Sequence, residues 1–77
     1  MNFPQYTLET ELGPLTYGYK REFRKWGFTA DKRTAILPCH GKEQGHKVAR
    51  IIAGSVKRSG VLVDGTARAN IAKVIGE

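Results

Sequence analysis

The fold is decided by residues 46–59, which read HKVARIIAGSVKRS. Four apolar residues follow the i, i+3, i+4, i+8 spacing of an amphipathic helix and fall within an arc of roughly 140°: Val48, Ile51, Ile52 and Val56. An opposing arc of roughly 100° carries cations and one glycine: Lys47, Arg50, Gly54, Lys57 and Arg58. The stretch therefore predicts a helix with one buried face and one basic face, followed by Gly60 as its C′ residue.

The residues before this helix alternate between apolar and polar side chains, as strands with one solvent-exposed face do. Gly13-Pro14 favours a turn, and a loop is expected between Gly27 and Lys32. Pro38 lacks an amide donor and therefore closes the last strand. The pattern predicts three strands, at residues 5–12, 15–24 and 33–39.

A second helix is predicted after the first. Asp64 or Thr66 can cap its start, and Gly76 stops it after Ile75. The order β-β-β-α-α predicts an α+β fold in which a three-stranded antiparallel sheet is packed on one face by one or two helices. We expect residues 1–77 to form a single small basic domain, and dimerisation through the second helix or a sheet edge is expected at this size.

Composition excludes several classes of protein. A chain of 77 residues is too short for a multidomain enzyme, and one cysteine, Cys39, excludes a secreted disulfide scaffold. The first ten residues have neither the basic nor the apolar region of a signal peptide, and no apolar run approaches the roughly 20 residues of a membrane span. These features predict a reduced, cytoplasmic protein with no membrane partner.

The net charge of +6 is unevenly distributed along the chain. Residues 20–60 hold eleven Lys and Arg against three Asp and Glu, which gives 11 − 3 = +8. Residues 1–19 carry −2, and the last 17 residues are neutral. An anionic partner should therefore meet the middle of the chain, and the phosphate backbone of DNA or RNA is the partner that this charge favours.

The basic face of the first helix is the first candidate site. Gly54 has no side chain, so a phosphate backbone could approach closely between the cations Arg50 and Lys57. The alternative is an ordinary solvated helix face whose long side chains cover apolar surface.

A second candidate is a cluster of cations, namely Lys20, Arg21, Arg24 and Lys25. Aromatic residues interleave with it: Tyr17, Tyr19, Phe23 and Trp26. Cations beside flat rings bind nucleic acid because each base offers a face on which to stack. Core packing is the alternative for any one ring, and Trp26, which lies outside the alternation, is expected to be the most exposed.

The segment GKEQGHK, residues 41–47, offers little chemistry. Lys42 and the amides at a helix start could contact a phosphate, but the spacing does not match a phosphate-binding loop. Cys39, His40 and His46 lack the further ligands of a closed zinc site, and adjacent strand residues point to opposite faces. We therefore expect no catalytic residue, no metal and no cofactor.

The segment RTAILPCHGKE, residues 33–43, followed by a helix that ends KRSG, resembles the second half of HicA-family toxins. Those toxins are small ribonucleases with a fold like that of double-stranded-RNA-binding domains. The resemblance covers about a third of the chain. A strand pattern replaces the family's first helix, and the family's Gly-Ser-His segment with the catalytic histidine has no counterpart. The resemblance implies RNA binding and puts cleavage in doubt.

The combined features predict a small non-enzymatic nucleic-acid-binding protein that uses both clusters. The predicted binding residues are Lys20, Arg21, Arg24, Lys25, Trp26, Lys42, Lys47, Arg50, Gly54, Lys57 and Arg58. One alternative is a small regulatory protein or inhibitor, encoded by a phage or mobile element, that docks on a larger host protein through exposed aromatic residues. A second alternative is a HicA-like ribonuclease relative that lacks the usual catalytic segment.

Overall fold

The computed structural model describes residues 6–76. It contains six elements: β1 (Tyr6–Thr10), β2 (Gly13–Lys20), β3 (Lys25–Ala30), β4 (Arg33–Leu37), α1 (Lys42–Ser59) and α2 (Gly65–Ile75). The strands form one antiparallel sheet in the order β1-β2-β3-β4. The α+β class with an antiparallel sheet and two helices is confirmed. The prediction of three strands is wrong, because the described sheet has four.

The additional strand is β3, whose residues were predicted to follow the second strand, which ends at residue 24, and to lie mostly in the loop between Gly27 and Lys32. Trp26, Phe28 and Ala30 alternate along it, and all three are buried. Gly27 lies between them and pairs with Gly18 of β2. Gly27 marks close approach rather than a loop, because an added Cβ would lie 2.7 Å from Cδ of Lys20.

The turn between β1 and β2 is also earlier than predicted. Thr10 closes it, since its Oγ1 donates to Gly13 O at 2.8 Å and accepts from Leu12 N at 3.1 Å. Gly13 and Pro14 consequently begin β2 instead of forming the turn. At the other hairpin, Asp31 and Lys32 both have positive φ, 52° and 65°, as in the tight turns that match strand twist.

Helix α1 packs on the sheet, and its inner face has the predicted apolar stripe. Val48 and Ile52 are fully buried together with Leu15 and Phe28 of the sheet. The helix begins at Lys42 rather than His46, and Gly60 follows it in the left-handed conformation with φ 76°. The predicted C′ glycine is confirmed, since the left-handed conformation is inexpensive for a residue without a Cβ.

Helix α2 runs antiparallel to α1. Asp64 caps its start by accepting from Ala67 N at 2.8 Å, and Gln44 Nε2 near the start of α1 donates to Val74 O at 3.0 Å. The predicted cap at Asp64 is confirmed. Within residues 6–76, neither helix combines the length and the apolar character that crossing a bilayer requires.

Candidate nucleic-acid interface

The two ends of the sheet carry different charges. At one end, Lys20 of β2 pairs with Lys25 of β3, one position beyond the pair formed by Tyr19 and Trp26. The start of α1 lies over the same end, because an added Cβ on Gly45 would lie 2.6 Å from the Trp26 ring. We call this region the basic end and define it by five cations: Lys20, Arg21, Arg24, Lys25 and Lys42.

The turn from β2 to β3 presents most of these cations to solvent. Two backbone hydrogen bonds close it, Phe23 N to Lys20 O and Arg24 N to Arg21 O, both at 3.2 Å. Arg21, Arg24 and Lys25 are exposed, whereas Lys20 is half-buried and its Nζ lies 5.8 Å from the centroid of the Phe23 ring. Arg24 adopts a φ of 55°.

The opposite end of α1 is partly neutralised. Both Nε and Nη2 of Arg58 donate to the Asp64 carboxylate, each at 2.8 Å. The hydrogen bond from Arg58 holds the pKa of Asp64 well below its usual range, and the donation from Ala67 N acts in the same direction. This arrangement of two parallel donors fixes the guanidinium in place. Arg58 is therefore engaged within the protein, although 46% of its side chain is exposed.

Gly54 and Lys57 lie beside β1 rather than beside the basic end. An added Cβ on Gly54 would meet only Nη1 of Arg58, at 4.0 Å, so the position is as bare as predicted. An open groove of about 430 Å³ runs past it, and Glu9 and Glu11 line that groove together with Lys57. Two carboxylates beside one ammonium make this groove less attractive to phosphate than the basic end.

The remaining predicted residues fall between these two ends or inside the core. Lys47 and Arg50 are exposed on successive turns of α1. Trp26 is only 5% exposed, so the expectation that it is the most exposed ring is wrong. It packs between Tyr6 and Phe28, at ring-centroid distances of 6.2 and 6.4 Å, and Gly45 lets α1 pass over it. A base cannot stack on a ring in that position.

The stripe of cations along α1 is consequently long rather than compact. Lys42 and Arg58 are sixteen residues apart in one helix, which is about 24 Å at 1.5 Å per residue. Lys42 lies in the first turn of α1, which passes over Trp26 three residues later, whereas Lys57 and Arg58 lie at the other end of the helix. The assignment of these residues to nucleic-acid binding stays a prediction.

Two of the side chains considered for metal binding, Cys39 and His46, are respectively buried and close to another side chain. Burial raises the pKa of the Cys39 thiol to about 11. His46 Nδ1 lies 2.9 Å from the Tyr17 hydroxyl, which burial keeps protonated by raising its pKa. Within residues 6–76, no three His, Cys, Asp or Glu side chains are grouped so that they could hold a metal ion.

Two exposed residues at the basic end are absent from the predicted set. Phe23 is 53% exposed and Tyr19 is 43% exposed, whereas Tyr17, Trp26 and Phe28 are buried. Their position beside four cations was visible in the sequence, but their exposure depends on the turn at residues 21–24.

Comparisons of the chain with protein-family models, with curated proteins and with solved structures find no match.

Proposed function

We propose that this protein binds nucleic acid through the basic end, without catalysing a reaction. One observation carries the proposal: residues 20–25, which read KREFRK, place four cations and one carboxylate on the tip of a single hairpin. Lys42 adds a further charge at the start of α1, which passes over Trp26 at the same end of the sheet. A polyanion would neutralise several of these charges at once.

The hairpin tip concentrates positive charge and holds one residue in a costly backbone conformation. Lys20 and Lys25 stand directly opposite each other in the ladder, which places two positive charges side by side. Arg24 occupies the left-handed region, where glycine would be cheaper by about 1 kcal/mol. Features of this kind concentrate at functional sites, because binding compensates for their cost.

Phosphate contacts would supply most of the affinity. Lysine and arginine side chains bind the sugar–phosphate backbone of DNA and of RNA, so weak sequence preference and a steep dependence on salt are expected. The proposal needs no cofactor and includes a cytoplasmic location, which the single buried thiol of Cys39 supports.

The test is fluorescence anisotropy of labelled DNA and RNA oligonucleotides titrated with the full chain at about 50 and 200 mM salt. We compare Arg24→Gln/Lys25→Gln with Lys57→Gln/Arg68→Gln, which removes the same charge from the far end. The first variant should bind at least about tenfold more weakly and with a shallower salt slope, and the second should resemble the wild type. Equal losses in both variants, or no binding at the lower salt concentration, would contradict the proposal.

The alternative function is docking on a host protein through the exposed rings at this end. Recovery of partners from lysate with and without nuclease treatment distinguishes docking from nucleic-acid binding. Loss of the recovered material after nuclease treatment supports nucleic-acid binding. Stoichiometric recovery of one protein after that treatment favours docking on a host protein.

A further inference from the structure

We infer that the ligand of the basic end is single-stranded nucleic acid and that the Phe23 ring is the surface on which a base stacks. The inference rests on the proposed function and deepens it by naming the form of the nucleic acid. The stacking role predicted for Trp26, which is buried, is thereby assigned to a ring that is exposed to solvent.

The exposure of Phe23 is unusual within this fold. The sheet buries Tyr17, Trp26 and Phe28 in one aromatic cluster, whereas Phe23 lies at the hairpin tip with 53% of its side chain exposed. Leaving a phenyl ring in water forgoes the free energy that burial would contribute. No residue of the described core packs around this ring, so core packing does not account for it.

The surroundings of the ring match what a single strand requires. Arg21 and Arg24 lie two residues before and one residue after Phe23, and Lys20 Nζ is 5.8 Å from the ring centroid. Proteins that bind single strands combine cations that follow the phosphates with aromatic rings on which unpaired bases stack. Tyr19, 43% exposed and adjacent to Lys20, provides a second ring at the same end.

A duplex would leave the ring unused. The faces of paired bases are covered by their neighbours in the stack, so a duplex offers the protein phosphates and base edges but few open base faces. The cations alone would serve a duplex equally well. The exposed ring among them is the feature that favours a single strand.

The experiment compares a single-stranded oligonucleotide with a duplex of equal length, in DNA and in RNA, using anisotropy with the full chain. Phe23→Ala should weaken single-strand binding about tenfold or more, whereas duplex binding should change less than about twofold. Val61→Ala is the matched control, because Val61 is an apolar side chain 42% exposed outside the basic end. This control should leave both affinities unchanged.

Phe23→Trp supplies a readout that charge loss or unfolding would not produce. The native Trp26 is buried, so the red-shifted emission of the variant reports the new indole. A single strand should quench that emission by stacking on the new indole, whereas a duplex should not. The single strand should also bind the variant at least as tightly as it binds the wild type. Quenching confined to single strands supports the inference.

Two failures are distinguishable. In the first, oligonucleotides bind and Arg24→Gln/Lys25→Gln weakens the binding, but Phe23→Ala does not, or the duplex binds more tightly than the single strand. The stacking inference is then wrong and the proposed function stands. If neither single strands nor duplexes bind at low salt, both are wrong.

Discussion

The same substitution at two glycines of α1 should change stability in opposite directions. Gly45 and Gly54 lie nine residues apart in one helix, and alanine is the better helix former at both positions by about 1 kcal/mol. What differs is the space that a new methyl group would enter. Gly45→Ala and Gly54→Ala therefore separate helix propensity from packing within one element.

At Gly45 the added Cβ would lie 2.6, 2.7 and 2.9 Å from three atoms of the Trp26 ring. These distances are well inside van der Waals contact, and Trp26 cannot turn aside because it is only 5% exposed. Overpacking of this kind costs about 1–3 kcal/mol. Taking the upper value because three atoms are involved, and subtracting about 1 kcal/mol for propensity, the variant should lose about 2 kcal/mol of unfolding free energy.

At Gly54 nothing lies closer to the added Cβ than Nη1 of Arg58, at 4.0 Å. Propensity then acts alone, and the variant should gain about 1 kcal/mol. For a domain of this size, about 1 kcal/mol corresponds to a shift in Tm of about 4–8 °C. We expect Tm to fall by roughly 10 °C for Gly45→Ala and to rise by roughly 5 °C for Gly54→Ala.

Circular dichroism during thermal and urea unfolding measures both variants. If Gly45→Ala is as stable as the wild type, the close contact with Trp26 is refuted. Trp26→Phe tests the cause, because it removes the ring atoms that Cβ would meet. In that background Gly45→Ala should cost less, and a double-mutant cycle gives the coupling between the two positions. Full additivity would show that the loss arises elsewhere.

Two further predictions concern the junction of α1 with α2. Ser55→Ala should lower the unfolding free energy by about 2 kcal/mol. The fully buried Ser55 hydroxyl donates to Val61 O at 2.7 Å and accepts from Asp64 N at 2.9 Å, and both of these groups would lose a partner. Urea unfolding measures the loss, and a loss no larger than that of Ser59→Ala, at an exposed serine, would contradict the prediction. Asp64→Asn should flatten the acid side of the stability profile. The folded pKa of Asp64 is depressed by Arg58, so its contribution is present above the unfolded pKa of about 4 and is lost as pH falls below it. Tm measured from about pH 6 to pH 2 should fall less in the variant, and parallel profiles would refute the assignment.

The helices were predictable because their signals are local. The spacing of Val48, Ile52 and Val56 defines a buried face whatever the helix packs against, and Gly60 stops the helix through its own backbone preference. The cap at Asp64 acts within three residues, on Ala67 N. None of these features depends on a distant part of the chain.

The fourth strand was missed because a glycine within a strand pattern can indicate either a loop or a close approach of neighbouring groups. Gly27 interrupts the run WGFTA, and a glycine between apolar residues resembles the start of a loop. In the sheet it faces Gly18 and is covered by the side chain of Lys20. The alternation of Trp26, Phe28 and Ala30 was the signal that favoured a strand, and it also predicts a buried Trp26.

The site could be predicted less well than the fold because charge is neutralised across elements that are distant in sequence. On a helical wheel, Lys57 and Arg58 continue the stripe that begins at Lys47. In the folded chain, however, the cap of α2 brings Asp64 to Arg58, and the turn after β1 brings Glu11 to the groove beside Lys57. Neither carboxylate is placed by the periodicity of α1.

The hairpin tip differs from that stripe in a way that bears on function. Its cations lie within six consecutive residues, so a four-residue turn keeps them together whatever the rest of the fold does. Only Glu22 offers a carboxylate within that segment. Because local sequence determines this cluster, moving Phe23 or Arg24 elsewhere in the chain would remove the proposed site without altering net charge. A variant in which Phe23 and Val61 are exchanged keeps the net charge and moves the ring out of the tip, so it should still bind nucleic acid and lose the preference for single strands, which net charge alone cannot explain.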